Sequence, residues 1–345
     1  MKPTAHIYQT KLKIISRLVI IFFFCLPITL AAEENISSEC KTIKIAYKQF
    51  DIKTMIDFDR TASPQQRQAC KTLFRYPSYE KDVDFFTCET LTEALYRSKH
   101  DSPAILEQFK RQATAITYQR CIRQALNRSW GQLEYKLFYK LVEELIAMNL
   151  PNQQALLDEL LATYVVNDKQ ALEHKYVQAL LAFGSNPATT QYDTPILSRA
   201  FWHTYVGGGT CKTARLIIDA LSPEELAIPY NNRAGNHPEK NIDATTLMDV
   251  SSLSTLCPEE GQLVVEKAAE INKQDKNGNT ALHHFYLDVI AQKNLLIPHK
   301  VNFINILRKR GASSDIPNKD NITAEQLRLQ LKQDKKRCRD LCSRL

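Results

Sequence analysis

VGGGTCKT, residues 206–213, sets three glycines ahead of a lysine and a threonine. A glycine-rich loop can cradle phosphate oxygens with its backbone N–H groups while a lysine ammonium approaches them. That chemistry needs Gly-x-x-x-x-Gly-Lys-[Ser/Thr] between a buried strand and a helix. The two demanded glycines fall on Val206 and Cys211. Gly207, Gly208 and Gly209 stand where no glycine is required, and the preceding ILSRAFWHTYV reads as helix, not strand. The expectation is a loop between helices, with no nucleotide and no other cofactor.

TMIDFDRTAS, residues 54–63, holds Asp57, Asp59 and Thr61 in an Asp-x-Asp-x-Thr pattern. One carboxylate can attack phosphorus while a second protonates the leaving oxygen. The stretch resembles the first motif of haloacid-dehalogenase-type phosphatases. That family needs a buried strand before the motif and several βα units after it, and QFDIK is polar and soon followed by helical sequence. Asp57 and Asp59 are therefore expected as turn or N-cap residues, with catalysis there the weaker alternative.

The histidines have no metal-ligand spacing, and no Cys-x-x-Cys occurs, so no metal site is expected. The chain has nine cysteines. Residues 1–17 carry Lys2, Lys11, Lys13 and Arg17 and no acid, followed by the apolar LVIIFFFCLPITLAA at 18–32. This is the layout of a signal peptide, expected to end at residue 31, with an apolar core too short for a comfortable span. Its removal takes Cys25 and leaves an even set, Cys40, Cys70, Cys88, Cys121, Cys211, Cys257, Cys338 and Cys342. An even set in an exported chain favours disulfides.

These residues must be positioned by helices. The 345-residue chain is 44% hydrophobic and 24% charged and has only 9 glycines, which argues against a loop-rich β design. Without residues 1–31, four of the 45 Lys and Arg are gone and all 38 acids remain, so the near-neutral balance is not that of a nucleic-acid binder. No stable membrane span is expected after cleavage. Residues 33–129 read as a small helical domain, with helices near 64–75, 79–98 and 103–128. In the last of these, Ile105, Phe109, Ala113, Ile116, Ile122 and Ala125 form one stripe.

The remainder repeats. AAEINKQDKNGNTALHHF from residue 268 and RGASSDIPNKDNITAEQL at 310–327 share an Asp or Asn, then Gly or Asn, then Thr-Ala. LLAFGSNPATTQYDTPILSRA at 180–200 follows the same scheme through Thr194-Pro195, and DATTLMDVSS at 243–252 is a weaker copy. Gly184 and Gly311 end apolar helical runs where a left-handed residue is wanted. Gly278 and Asn321 sit where a turn needs positive φ. These stretches resemble ankyrin repeats. The family closes one repeat on Leu-Leu-x-x-Gly-Ala and opens the next on Asp-x-x-Gly-x-Thr-Pro-Leu-His-x-Ala. Asp275, Gly278, Thr280, Leu282 and His283 match directly, with Ala281 in the proline place. The Thr anchors at 194, 245, 280 and 323 are spaced 51, 35 and 43, against a family period of about 33, so two repeats carry insertions.

The resemblance implies an all-α fold, an ankyrin-repeat solenoid preceded by the small helical N-terminal domain. Residues 130–189 would form degenerate hairpins or a first repeat, 190–317 the repeats with insertions, and 318–345 capping helices. Equivalent loops of neighbouring repeats lie side by side, so a Cys211–Cys257 bridge is expected. His283 is the family's structural histidine. The family's common use is protein recognition by turn tips and first helices, which offers Tyr192, Asp193, Lys276, Asn277, Lys319 and Asp320 as binding residues. The expectation is an exported, periplasmic or secreted interaction protein of bacterial type with a protein partner, host proteins being one class. The alternatives are a hydrolase with its site in 33–129 and the repeats as targeting module, or a periplasmic structural scaffold.

Overall fold

The computed structural model describes residues 38–71, 85–97, 102–128, 134–166, 174–205, 210–232, 241–253, 257–291 and 298–333. The signal-peptide reading, Gly207–Gly209, Cys338 and Cys342 lie outside them. The chain divides into two units, residues 1–121 and 122–345.

The first unit contains α1 (Ser38–Gln49), α2 (Ile52–Thr61), α3 (Pro64–Lys71), α4 (Phe85–Arg97), α5 (Ser102–Gln112) and the opening of α6 (Ala115–Arg128). Phe50 turns the chain with φ 56°. Asp51 then caps α2, its carboxylate accepting from the Thr54 N–H at 3.1 Å and the Thr54 hydroxyl at 2.7 Å. Ile43, Met55, Phe58, Phe85 and Phe86 form the core, with Phe58 and Phe86 edge to face at 4.9 Å. The Cys40–Cys70 bridge ties α1 to α3, and Cys88–Cys121 ties α4 to α6.

Several sequence expectations for this unit need correction. Residues 38–49 and 52–61, given no helix of their own from sequence, are helical. The helix expected over 103–128 is two, because the Thr114 hydroxyl accepts from the Thr117 N–H at 3.2 Å and starts a new helix. That break turns Ile116 out of the stripe, leaving it 62% exposed. Asp57 and Asp59 lie inside α2, not in a turn or at a cap.

The second unit is two rows of antiparallel helices. One row runs α8 (Gln153–Val166), α10 (Ile196–Tyr205), α13 (Thr246–Leu253), α15 (Ala281–Ala291) and α17 (Ala324–Gln333), each packed on the next. The other runs α7 (Tyr135–Ala147), α9 (His174–Ala182), α11 (Cys211–Ala220), α14 (Pro258–Lys267) and α16 (Pro298–Lys309). Pairs α8–α9, α10–α11, α13–α14, α15–α16 step along both rows in register. This is an ankyrin-like helical repeat, and α8 with α9 is a full hairpin of it. Each repeat buries one helical face on its neighbour, which is why the array is all-α with little strand.

Two second-row helices end on glycine, as the sequence demands. Gly184 (φ 91°) and Gly311 (φ 90°) close α9 and α16. The Ser185 N–H reaches the Leu180 carbonyl and the Gly184 N–H the Leu181 carbonyl, both at 3.0 Å. Ala312 and Gly311 repeat the pattern on Leu307 and Arg308, so both ends satisfy their last carbonyls the same way. The 51-residue spacing holds the short α12 (Pro223–Leu226), with a Ser222/Glu225 capping box, and a hairpin of β3 (Tyr230–Asn232) and β4 (Asn241–Ala244). Among the described residues, no helix is long and apolar enough to cross a membrane.

Candidate functional site

The turn tips are built from short polar residues that fold the backbone onto their own side chains. Asp275 Oδ1 accepts from the N–H groups of Asn277 and Asn279 at 2.9 and 2.8 Å. Asn318 Oδ1 does the same for Asp320 and Ile322, both at 3.0 Å. Gly278 and Asn321 take the positive φ that each turn requires, 78° and 57°. The tips then stack. The Lys319 N–H donates to the Asn277 carbonyl at 2.9 Å, and Asn318 Nδ2 donates to Asn279 Oδ1 at 3.0 Å. Lys276, Asn277, Lys319 and Asp320 thus form one continuous exposed edge.

His283 binds one repeat to the next. Its Nδ1 accepts from the Thr280 N–H at 3.2 Å and lies 2.9 Å from the Thr280 hydroxyl; its Nε2 is 3.0 Å from the Ile322 carbonyl. An accepting Nδ1 puts the ring proton on Nε2, which donates to that carbonyl. Burial lowers the His283 pKa below its ordinary value, against the opposing pull of Ile322. His284 pairs with Asp275 at 2.9 Å. Burial opposes the charge on Asp275, but His284 and the Asn279 and Asn277 N–H groups hold its pKa below the usual carboxylate value.

In the repeat opening at Thr194, Leu197 stands where His283 stands, and the Thr194 hydroxyl, on a residue only 3% exposed, has no partner among the described residues. Thr194→Val is expected to leave the unfolding midpoint unchanged or raise it, whereas Thr280→Val costs about 1 kcal/mol. Urea melts of the two variants check this, and equal losses would contradict it.

Tyr192 and Asp193 cross the end of a hairpin, β1 (Thr190–Gln191) paired with β2 (Thr194–Pro195). Both have positive φ, 52° and 61°, the two-residue turn usually given to Asn or Gly. Tyr192 is 76% exposed. The Arg199 guanidinium, one turn into α10, lies 5.4 Å from its ring centre. A cleft of ≈ 550 Å³ opens beside the hairpin, lined by Asp158, Glu159, Thr163, Thr190, Gln191 and Tyr192.

No protein-family model matches the chain, and no curated protein matches it. Among solved structures, the ankyrin repeat domain of Bcl-3, described as a unique member of the IkappaB protein family, is similar over 69% of this chain and 92% of that one, at 14% identity and a TM-score of 0.42. The repeat assignment is carried by the chain's own tips, glycine-capped helices and paired rows.

Cys211, the first residue of α11, is bonded to Cys257, which precedes α14, with Cα atoms 5.4 Å apart. Glu260 is the one carboxylate grouped with these sulfurs among the described residues, but bonded sulfurs supply no thiolate to a metal. The residues before Gly207–Gly209 are helix α10 and those after helix α11, so the strand a phosphate loop requires is replaced by helix.

Asp57 and Asp59 do not converge on a site. Asp57 is exposed. Asp59 is 1% exposed, and its carboxylate accepts from the Phe86 N–H at 3.4 Å, the Thr87 N–H at 2.8 Å and the Thr87 hydroxyl at 2.6 Å. Its charge sits on the N-terminal turn of α4, where a helix favours an anion. Asp59→Ala is expected to cost about 2 kcal/mol through the orphaned donors, and Asp57→Ala almost nothing; thermal melts of the full chain check both.

Sequence reasoning missed a buried polar trio. Tyr230, from the inserted hairpin, donates to the Asp249 carboxylate, and Ser198 Oγ lies 3.0 Å from the Tyr230 oxygen. Burial drives the Asp249 pKa up to about 6, with Ser198 and the charge of His284 pulling it back. Ser198, Asp249 and His284 each stand four residues after a Thr anchor. A polar residue recurring at that inward position was the available signal.

Proposed function

We propose that the chain is an exported protein-recognition module that uses its turn tips and first-row helices. The stacked tips carry this reading: backbone hydrogen bonds fix Lys276, Asn277, Lys319 and Asp320 in one exposed row. A backbone already fixed beneath solvated side chains lowers the entropic cost of binding. Trp202, 42% exposed on α10, adds an aromatic on the same row of helices.

A photo-crosslinking residue at Tyr192, Lys276 or Lys319 is expected to give a discrete protein adduct in whole-cell extract. The same residue at Lys212 or Arg215 on α11 should give none. Equal adducts from both faces, or none from the tips, would overturn the proposal.

Export is supported by the basic and apolar N-terminal sequence and by three disulfides among the described residues. Such bonds persist in the periplasm or outside the cell. Iodoacetamide applied in denaturant before reduction should label none of Cys40, Cys70, Cys88, Cys121, Cys211 and Cys257. Full labelling of the unreduced, denatured protein would contradict the disulfides and the export reading.

A further inference from the structure

Unsatisfied polar groups cluster at one place in the second unit. Among the described residues, Gln191 Oε1, Thr194 Oγ1 and Arg199 Nε are buried atoms without a hydrogen-bond partner, and all three lie on the β1–β2 hairpin or the first turn of α10. Buried groups of this kind are rare, and each calls for a reason. Among the described residues, the half-buried Arg199 guanidinium has no carboxylate partner; the Tyr192 ring faces it. The nearby acids are already engaged. Asp158 accepts from Gln154 Nε2 at 2.8 Å and from the Asn186 N–H at 2.7 Å. Glu159 is paired with Arg123 at 2.5 Å and bonded to Asn127 at 3.4 Å. Tyr192 is also costly where it stands, because positive φ disfavours a bulky residue and Asn or Gly would hold the turn without strain. An exposed aromatic kept in a strained turn beside an uncompensated guanidinium is an arrangement that folding alone does not require.

We propose that Arg199 and Tyr192 form a clamp for a carboxylate on an acidic, extended segment of a protein partner. The inference rests on the recognition reading above and names the chemistry of one part of that surface. The guanidinium offers a planar pair of N–H donors that matches a carboxylate, and Tyr192 stacks on it and supplies a phenolic donor. Burial also depresses the Arg199 pKa, the condition in which a bound anion gives most.

The test uses the full chain and a fluorescein-labelled hexaglutamate peptide, followed by fluorescence polarisation, with uncharged hexaglutamine as competitor. Because the chain carries formal charge +7, a charge-matched control is needed. Arg199→Gln is expected to weaken hexaglutamate binding about tenfold, and Arg215→Gln, on the other row and paired with Asp219, less than about twofold. Hexaglutamine should not compete. Tyr192→Asn keeps the test valid if Arg199→Gln folds poorly: it should hold or raise the melting midpoint while weakening hexaglutamate. Equal losses from Arg199→Gln and Arg215→Gln, no hexaglutamate binding at millimolar concentration, or Tyr192→Asn leaving binding intact would overturn the clamp. If the tip crosslinks persist unchanged in Arg199→Gln, the clamp fails while the recognition module stands.

Discussion

Gly278→Ala is expected to lower stability by about 3 to 4 kcal/mol, far more than the same change at Gly311. Two costs combine at Gly278. Its φ of 78° is a region where an L residue loses about 1 to 2 kcal/mol. A Cβ there would also stand 2.9 Å from the Lys319 nitrogen and 3.0 Å from the Asn318 Cα. Both are backbone atoms, so relief requires the two tips to separate. Separation breaks the Lys319 N–H to Asn277 carbonyl bond and the Asn318 to Asn279 side-chain bond, each worth about 1 kcal/mol. Gly311 has φ 90° and open space around the added carbon, leaving only the dihedral cost of about 1 to 2 kcal/mol. Urea midpoints of the two variants measure the gap. If Gly278→Ala costs no more than Gly311→Ala, the tips are not in backbone contact in solution. Crosslinking from Lys276 and Lys319 should fall in parallel, because the row depends on that contact.

The repeat was legible where each copy solves its turn locally. Asp275 with Gly278, and Asn318 with Asn321, carry their own turn chemistry, and the glycines at 184 and 311 announce helix ends. A hydrogen bond between residues two to four positions apart leaves a pattern in sequence. What stayed hidden depends on partners far along the chain. Asp59 looked like a turn or catalytic residue because its partners, Phe86 and Thr87, lie 27 and 28 residues away. The helix over 103–128 read as continuous because Thr114 suits both an exposed helical position and a cap. Arg199 was passed over because only the fold sets it against Tyr192. The Gly, Pro and Asn of LSPEELAIPYNNRAGNHPEKNI, residues 221–242, read only as an insertion between repeats, yet this segment sends Tyr230 into the array.

That insertion leads to the second large effect. Asp249→Asn is expected to stabilise the protein by about 3 kcal/mol at pH 7.5, the gain disappearing toward pH 4. The carboxyl titrates at about 6 in the folded chain against 3.8 in the unfolded one. Below 3.8 both states hold the proton and the group's favourable contribution is complete. Between 3.8 and about 6 the folded state alone keeps the proton, so stability falls as pH rises. Above about 6 both are ionised, and the folded chain bears the whole cost of a buried charge, about 3 kcal/mol for a shift of this size. Asparagine can still accept from the Tyr230 hydroxyl and has no proton to lose. His283 and Asp275 are present in both proteins, so the difference between wild type and variant leaves position 249 together with its electrostatic coupling to His284. Urea unfolding of the pair from pH 4 to 8 should show that difference growing to its full value through pH 6. A difference flat with pH would mean the Asp249 charge is as well solvated folded as unfolded. In that case Tyr230 would not be sealing it, and the inserted hairpin would not be packed as part of the repeat array.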